Sequence, residues 1–170
     1  MPDTNIDTPL REIAIRMLTR DAFAPFGDVI DLEGANSFPI NHGMCMRYHD
    51  LARVETTGDN ARTLISLLRG KPYELPLKCG MVERHPLGSQ AFVPLSHNPF
   101  LVVVAEATAK GAGEPIAFRT APGQGVNIHR NIWHGILTPL NGVSDFAVID
   151  RGGDGVNLEE YFYPEPFLIR

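Results

Sequence analysis

The sequence predicts a mainly β protein, a barrel or sandwich of short strands preceded by one short helix. Short segments rich in β-branched and aromatic residues follow one another along most of the chain. Gly, Pro, Asn and Asp separate these segments, as expected of turns. Short strands punctuated in this way are typical of sandwiches and barrels. With 170 residues and 44% hydrophobic content, the chain can bury one core, so we expect a single domain over residues 1–170.

The elements can be predicted in chain order. Residues 1–15 carry little packing information and are expected to form an extended N-terminal arm. Residues 19–27 predict a short helix, because Thr19 or Asp21 can cap its start and Gly27 can end it. The predicted strands then span residues 44–50, 63–68, 77–84, 89–94, 100–107, 116–120, 126–129 and 146–150. The tail 158–164 is apolar enough to pack on the barrel, but its pattern does not decide its conformation.

Composition excludes several classes of protein. The net charge of −5 argues against nucleic-acid binding, which needs an excess of Lys and Arg, and favours a small-molecule partner. The stretch 1–16 lacks the basic start and apolar run of a signal peptide, so we expect a cytoplasmic protein. The longest apolar run, Phe100–Ala105, is too short to span a membrane. Cys45 and Cys79 lie in apolar surroundings and are expected to be reduced core residues.

The first polar strand carries the first candidate site residues. In the segment 81–85, alternation places Glu83 and His85 on one face of the sheet and Arg84 on the other. A Pro-Leu-Gly turn follows, and the next strand begins near Gln90. This layout matches the first cupin motif, in which two His flank one residue and a Glu follows after four more. Glu83 and Gln90 stand where that motif has its first His and its Glu.

The second polar segment follows a Gly-rich turn and covers residues 125–134. In cupins, a strand that ends in a short turn before a His supplies the last metal ligand, which makes His134 the natural candidate here. His129 would share a strand face with Asn127. The cupin layout predicts that four side chains converge on one pocket: Glu83, His85, His129 and His134.

The segment 44–50 is also polar for a strand. Arg47 and His49 would share one face, and such a pair could hold a carboxylate. A solvated edge strand with Tyr48 packed explains the same pattern equally well.

Three longer strings resemble the ureidoglycolate lyase family of allantoin degradation: residues 83–94, 125–134 and 145–153. Two weaker stretches, 24–30 and 47–51, agree with this resemblance, which therefore runs in the same order from about residue 19 to 153. It implies a cupin-like jelly-roll β-barrel, usually a homodimer. It also implies an amidine-lyase activity in purine catabolism that splits ureidoglycolate, preferably the (S) form, into glyoxylate and urea.

This reaction suits the residues of the two polar segments. Cleavage requires a base for the hydroxyl proton, a proton donor for the departing urea nitrogen and a cation for the carboxylate. We expect Glu83 or His85 as base and His129 or His134 as acid. Arg47 or Arg130 is a better carboxylate anchor than Arg84, which points away from Glu83. The candidate substrate-binding residues are Arg47, Tyr48, Arg84, Gln90, Asn127 and Arg130.

The resemblance also implies nickel dependence. Glu83, His85 and His134 would form a three-ligand Ni²⁺ site with open positions, although the amide of Gln90 is a poorer ligand than the carboxylate it replaces. Two alternatives remain open. One is another cupin enzyme acting on a small hydroxy acid, and the other is a ligand-binding cupin without catalytic activity.

Overall fold

The computed structural model describes residues 9–170, and the predicted arm falls outside it as far as residue 8. It contains one short α-helix, α1 (Arg20–Phe23), and a 3-10 turn at Asn41–Gly43. The strands are β1 (Glu12–Ile13), β2 (Ile15–Met17), β3 (Gly27–Ile30), β4 (Ser37–Ile40), β5 (Cys45–Tyr48), β6 (Arg62–Gly70), β7 (Leu77–Arg84), β8 (Gln90–Pro94), β9 (Phe100–Ala105), β10 (Ala107–Thr108), β11 (Gly111–Ala112), β12 (Ile116–Arg119), β13 (Gly125–Ile128), β14 (Trp133–His134), β15 (Thr138–Pro139), β16 (Ser144–Gly152) and β17 (Glu159–Ile169).

Most strands belong to two facing sheets. The large sheet has the order β1-β17-β7-β14-β9-β12-β2, with β15 paired to β9, and the small sheet has the order β3-β13-β8-β16-β6. Neighbouring strands within each sheet are mostly distant in sequence, as in a jelly roll. The predicted mainly β, cupin-like barrel with a short N-terminal helix is therefore confirmed.

The main core fills the space between the two sheets, which we call the barrel interior. Strand β9 is buried on both faces, which explains why its sequence is a continuous apolar run. Its residues Phe100, Val102 and Val104 face the barrel interior together with Phe92 and Phe146. Its alternate residues belong to a second cluster on the outer face of the large sheet.

The helix is shorter than the sequence predicts. The side chain of Thr19 caps it by accepting a hydrogen bond from the Ala22 amide, as expected, but the helix ends at Phe23. Gly27 does not end the helix and is instead the first residue of β3. A side chain at this position would collide with the carbonyl oxygen of Asn127 on the paired strand, which explains the glycine.

The C-terminal tail forms the longest strand, β17, which pairs antiparallel with β7 and parallel with β1. Residues 12–17 also join the large sheet, through β1 and β2.

Cys79 is buried as predicted, but Cys45 is exposed on β5, so its assignment to the core was wrong. Between residues 9 and 170, the structure has no helix with the length and apolar character needed to cross a bilayer.

Candidate active site in the barrel interior

Three of the predicted site residues meet at one end of the barrel interior. His134 on β14 lies directly opposite Glu83 on β7, and antiparallel partners point to the same face. His85 follows the end of β7, and its Nε2 atom lies 3.8 Å from Oε1 of Glu83. One potential ligand atom from each of the three residues lies within 4.8 Å of the others. The sequence therefore predicted this part of the cluster correctly.

Hydrogen bonds orient both imidazole rings. Nδ1 of His85 lies 2.7 Å from the carbonyl oxygen of Asn157, and Nδ1 of His134 lies 2.9 Å from that of Gly135. Because a carbonyl only accepts, each Nδ1 carries the proton, and each Nε2 of a neutral ring presents a lone pair. Both Nε2 atoms are buried and have no hydrogen-bond partner among residues 9–170. The cluster thus offers two unpaired nitrogen lone pairs.

Burial controls the charge of the cluster. Complete desolvation lowers the pKa of His134 to about 4, so its ring is neutral at pH 7. Burial also raises the pKa of Glu83; the nearby His85 opposes this rise and Glu160 adds to it. A neutral His134 whose only proton is bound to a carbonyl is poorly suited to the predicted role of proton donor.

The small sheet contributes two further polar side chains to the same interior. Val148 lies opposite Phe92 and Ile149 opposite Ala91, and continuing this register places Asp150 opposite Gln90. Alternation then turns both polar residues to the same face as Phe92 and Val148, which is the core face. Oε1 of Gln90 and Oδ1 of Asp150 are buried without a partner among the described residues.

Asp150 was not among the predicted site residues. The signal that could have found it is the alternation along β16, where Phe146 and Val148 face the core and Asp150 is next in the same row. Gln90 begins β8 only five positions after His85, so the turn between them brings both sheets to the same end of the barrel.

His129 lies apart from the other three candidates. Its Nε2 atom is 3.2 Å from Oδ1 of Asp28, and both line a separate cavity of about 410 Å³. The neighbouring Asn127 is fully buried and donates to Asp28 and to the carbonyl oxygen of Arg53. Val126 and Ile128 face the core. Asn127 and His129 alternate with them and therefore point outward. The predicted convergence of His129 with Glu83, His85 and His134 is therefore not observed, and Asn127 shares the outward face with His129.

Two of the predicted arginines are engaged outside the barrel interior. Arg84 pairs with Glu159 at 2.6 Å and stacks 4.4 Å from the ring centre of Trp133, on the face that alternation predicted. Arg130 lies 3.9 Å from Glu55 on the surface. Neither guanidinium reaches the cluster.

Arg47 and Tyr48 lie on an exposed hairpin in which β5 pairs with β4. Tyr48 is not packed, contrary to the interpretation of this segment as an edge strand with a buried tyrosine. Among residues 9–170, Arg47 has neither an ion pair nor a side-chain hydrogen bond.

The turn after β13 supports the cluster from outside. Asn131 adopts a left-handed conformation with φ of 68°, which asparagine tolerates better than most residues. Its amide donates a 2.9 Å hydrogen bond to the carbonyl oxygen of His85. The second polar segment thus contributes one interior residue, His134, and a backbone contact that positions His85.

Comparisons with known proteins agree on one family. A family model described as ureidoglycolate lyase matches residues 10–170. A protein of Rhizobium meliloti named ureidoglycolate lyase 2 is 65% identical over 157 residues, which cover 92% of this chain and 96% of the relative. Proteins named ureidoglycolate lyase from Mesorhizobium japonicum and a Chelativorans species are 62% and 59% identical over 160 residues, covering 94% of this chain and 98% and 97% of the relatives.

Proposed function

Since the chain belongs to the ureidoglycolate lyase family, we propose that it cleaves (S)-ureidoglycolate into glyoxylate and urea in the barrel interior. This is an amidine-lyase reaction, in which the bond between the central carbon and the ureido nitrogen breaks. The hydroxyl group on that carbon becomes the aldehyde of glyoxylate. The proton lost by the hydroxyl is equivalent to the one gained by the nitrogen, so the reaction needs no net proton.

One observation carries the assignment to the barrel interior. The buried polar atoms without partners there are hydrogen-bond acceptors: Nε2 of His85 and His134, Oε1 of Gln90 and Oδ1 of Asp150. Leaving such atoms unpaired costs about 1–3 kcal/mol each, so a ligand that donates to them binds with a corresponding gain. Ureidoglycolate carries one hydroxyl and several N–H donors. Its donor groups can pair with Oε1 of Gln90 and Oδ1 of Asp150, while the two Nε2 atoms remain as ligands for a metal ion.

Asp150 is the proposed proton acceptor. A carboxylate that faces the hydroxyl can take its proton as the C–N bond weakens, and the resulting acid can return the proton to the departing nitrogen. Gln90 lies opposite Asp150 on β8, where its amide oxygen can accept from the ureido group and hold the nitrogen near the acid. This pair replaces the predicted roles of His129 or His134 as acid and of Glu83 or His85 as base.

The donor set of the cluster fits a divalent metal ion. Glu83 supplies a carboxylate, and His85 and His134 each present an unpaired Nε2 whose partner Nδ1 is fixed by a backbone carbonyl, the usual arrangement of histidine ligands. These three residues would hold Ni²⁺, as the family resemblance implies. The ion would supply a Lewis acid for the oxygen atoms of the substrate. Asp150 remains available for proton transfer because it is not part of this group.

The proposal includes a cytoplasmic homodimer. Strand β6 is a nine-residue edge strand of the small sheet, and its Ile65 and Leu67 expose 79% and 72% of their surface. Exposed apolar edges of this length are a hazard in a monomer and usually become covered.

Product analysis tests the proposed function. Purified protein should convert ureidoglycolate to equal amounts of glyoxylate and urea, with the (S) enantiomer consumed first. Release of free ammonia as a direct product would contradict the lyase assignment and favour a hydrolase. A protein that binds the substrate without forming products would favour the noncatalytic alternative.

A further inference from the structure

The hairpin of β4 and β5, residues 37–48, stands clear of the barrel. Its strands pair only with each other, and all of its residues are exposed or half-buried. Met44, Met46 and Tyr48 expose 88%, 49% and 37% of their surface. A lone two-stranded hairpin is marginally stable in water, and clustered apolar exposure marks contact surfaces. The hairpin therefore has the composition of a segment that is covered in the working protein.

The hairpin also carries a free guanidinium. Arg47 lies opposite Phe38 in the hairpin and is exposed, and no acid within residues 9–170 pairs with it. The planar fork of an arginine side chain matches a carboxylate with two parallel hydrogen bonds. Arg47 is thus available to bind an anion.

The barrel interior needs such a cation. Its titratable groups are two carboxylates, Glu83 and Asp150, and two histidines, which bind a metal ion in their neutral form. A divalent metal ion would balance the two carboxylates, and the carboxylate of the substrate would then add an uncompensated negative charge. Burying an unpaired charge is costly. Among the described residues, Arg84 and Arg130 are engaged elsewhere and cannot compensate it.

Along β17 the interior face of the large sheet is open to solvent. Glu160 lies opposite Glu83 and Phe162 opposite Met81, so both point to the interior face of the large sheet. Glu160 is exposed, and Phe162 exposes 67% of its surface. We call this opening the mouth. It combines acidic and apolar side chains, which complements a hairpin that carries an arginine among apolar residues.

A hairpin cannot readily cover the mouth of its own chain. Its base continues into Asp50, which lines the cavity of His129 and Asp28 on the outward face of the small sheet. That cavity lies at the β3 edge, whereas Asp150 lies on β16, three strands away and on the other face. Three strand spacings are about 14 Å. A second copy in a two-fold dimer presents an identical hairpin without this constraint.

We propose that the hairpin of one copy covers the mouth of a second copy, where its Arg47 binds the carboxylate of the substrate. This inference rests on the proposed function, because the carboxylate is that of ureidoglycolate. Each site then combines Glu83 and Asp150 of one chain with Arg47 of the partner subunit. Two-fold symmetry gives two such composite sites in each dimer.

Single substitutions give the first test. Arg47→Ala should lower kcat/KM for ureidoglycolate by about 10- to 100-fold, because one charge-assisted contact to the substrate is lost. Arg47→Lys should recover part of this loss. Arg16→Ala removes another exposed arginine, on β2, and serves as the matched control with unchanged kinetics. Full activity of Arg47→Ala, or a wild-type protein that is monomeric by light scattering at the assay concentration, would overturn the inference.

Heterodimers distinguish a contribution from the partner subunit from one within the same chain. Chains with two different affinity tags are coexpressed, and the mixed dimer is purified through both tags. A dimer of an Arg47→Ala chain and an Asp150→Asn chain has one intact composite site, so it should show about half of the wild-type activity although both parent homodimers are impaired. A dimer of a wild-type chain and a chain carrying both substitutions should be as impaired as the parents.

The opposite pattern would overturn the inference. If Arg47 acts within its own chain, the first heterodimer is impaired and the second retains about half of the activity. Failure of the proposed function is recognised separately, because the wild-type homodimer would then form no glyoxylate and urea at all. If the wild-type protein turns over ureidoglycolate but the heterodimers show the opposite pattern, the lyase function is supported and only the shared site is contradicted.

Discussion

Nε2 of His85 lies 3.8 Å from Oε1 of Glu83, and the proton of the same ring is fixed on Nδ1 by the carbonyl oxygen of Asn157. In its neutral form the ring therefore presents the lone pair of Nε2 on the side of the carboxylate. A cation bound between these two acceptors would engage both of them. This relationship supports the proposed metal ligands, Glu83, His85 and His134.

Exhaustive chelation should abolish turnover, and added Ni²⁺ should restore it. Glu83→Gln should also lower the amount of nickel bound per chain, measured by mass spectrometry of the purified protein, because a neutral amide is a poorer ligand than a carboxylate. Glu159→Gln is the matched control, since Glu159 pairs with Arg84 on the other face of the sheet. Undiminished activity in metal-free protein would show that the metal ion is not required for catalysis.

Asp150→Asn should lower kcat by about 100- to 10,000-fold, the usual contribution of a positioned acid or base, while nickel binding and folding persist. Asp145→Asn on the same strand is the control, because Asp145 pairs with Arg69 at the surface. Steady-state kinetics with both variants, together with their metal content, measure the difference. Equal activities of the two variants would show that Asp150 is not the proton acceptor.

The stability of the metal-free protein should decrease as the pH falls, because of His134. The pKa of His134 is about 4 in the folded protein and 6.5 in the unfolded chain. Between these pH values, only the unfolded chain binds the proton. The free energy of unfolding should decrease by about 3 kcal/mol as the pH falls through this range. Urea denaturation at several pH values should show a weaker dependence in His134→Asn. The raised pKa of Glu83 acts in the opposite direction and is shared by both proteins. Identical profiles would contradict the assignment.

Arg84 should matter for stability and not for substrate binding. Removing its stacking on Trp133 and its pairing with Glu159 should cost about 1–2 kcal/mol in Arg84→Ala. KM for ureidoglycolate should not change. Thermal denaturation and kinetics of the same preparation test both statements. A large rise in KM at unchanged stability would indicate that Arg84 binds the substrate.

Strand alternation predicted the barrel cluster where the pattern was local. It placed Glu83 and His85 on one face and Arg84 on the other, and the cupin layout brought His134 to Glu83, as the structure has it. Along β13 the same alternation puts Val126 and Ile128 on the core face and Asn127 and His129 on the other face, but the cupin layout was given precedence over this pattern. His129 was therefore grouped with residues that lie on the other side of the sheet.

Other features depend on long-range pairing that local patterns do not encode. Asp150 joins the interior because β16 pairs with β8 in one particular register. The strand β17 contains Pro164 and Pro166, which argue against a strand in a sequence window, but its register shifts between Phe162 and Phe167 and pairing continues on both sides. The polar pattern of residues 44–50 allowed a solvated edge strand, but it could not show that β5 pairs only with β4 in a separate hairpin.

We propose the barrel interior, and not the cavity of His129, as the lyase site. The most direct measurement is kcat/KM for ureidoglycolate in His134→Asn and His129→Asn, determined side by side with circular dichroism as a check on folding. We predict a loss of at least about 100-fold for His134→Asn and a change within about 3-fold for His129→Asn. The reverse order, with His129→Asn inactive and His134→Asn active, would contradict the claim.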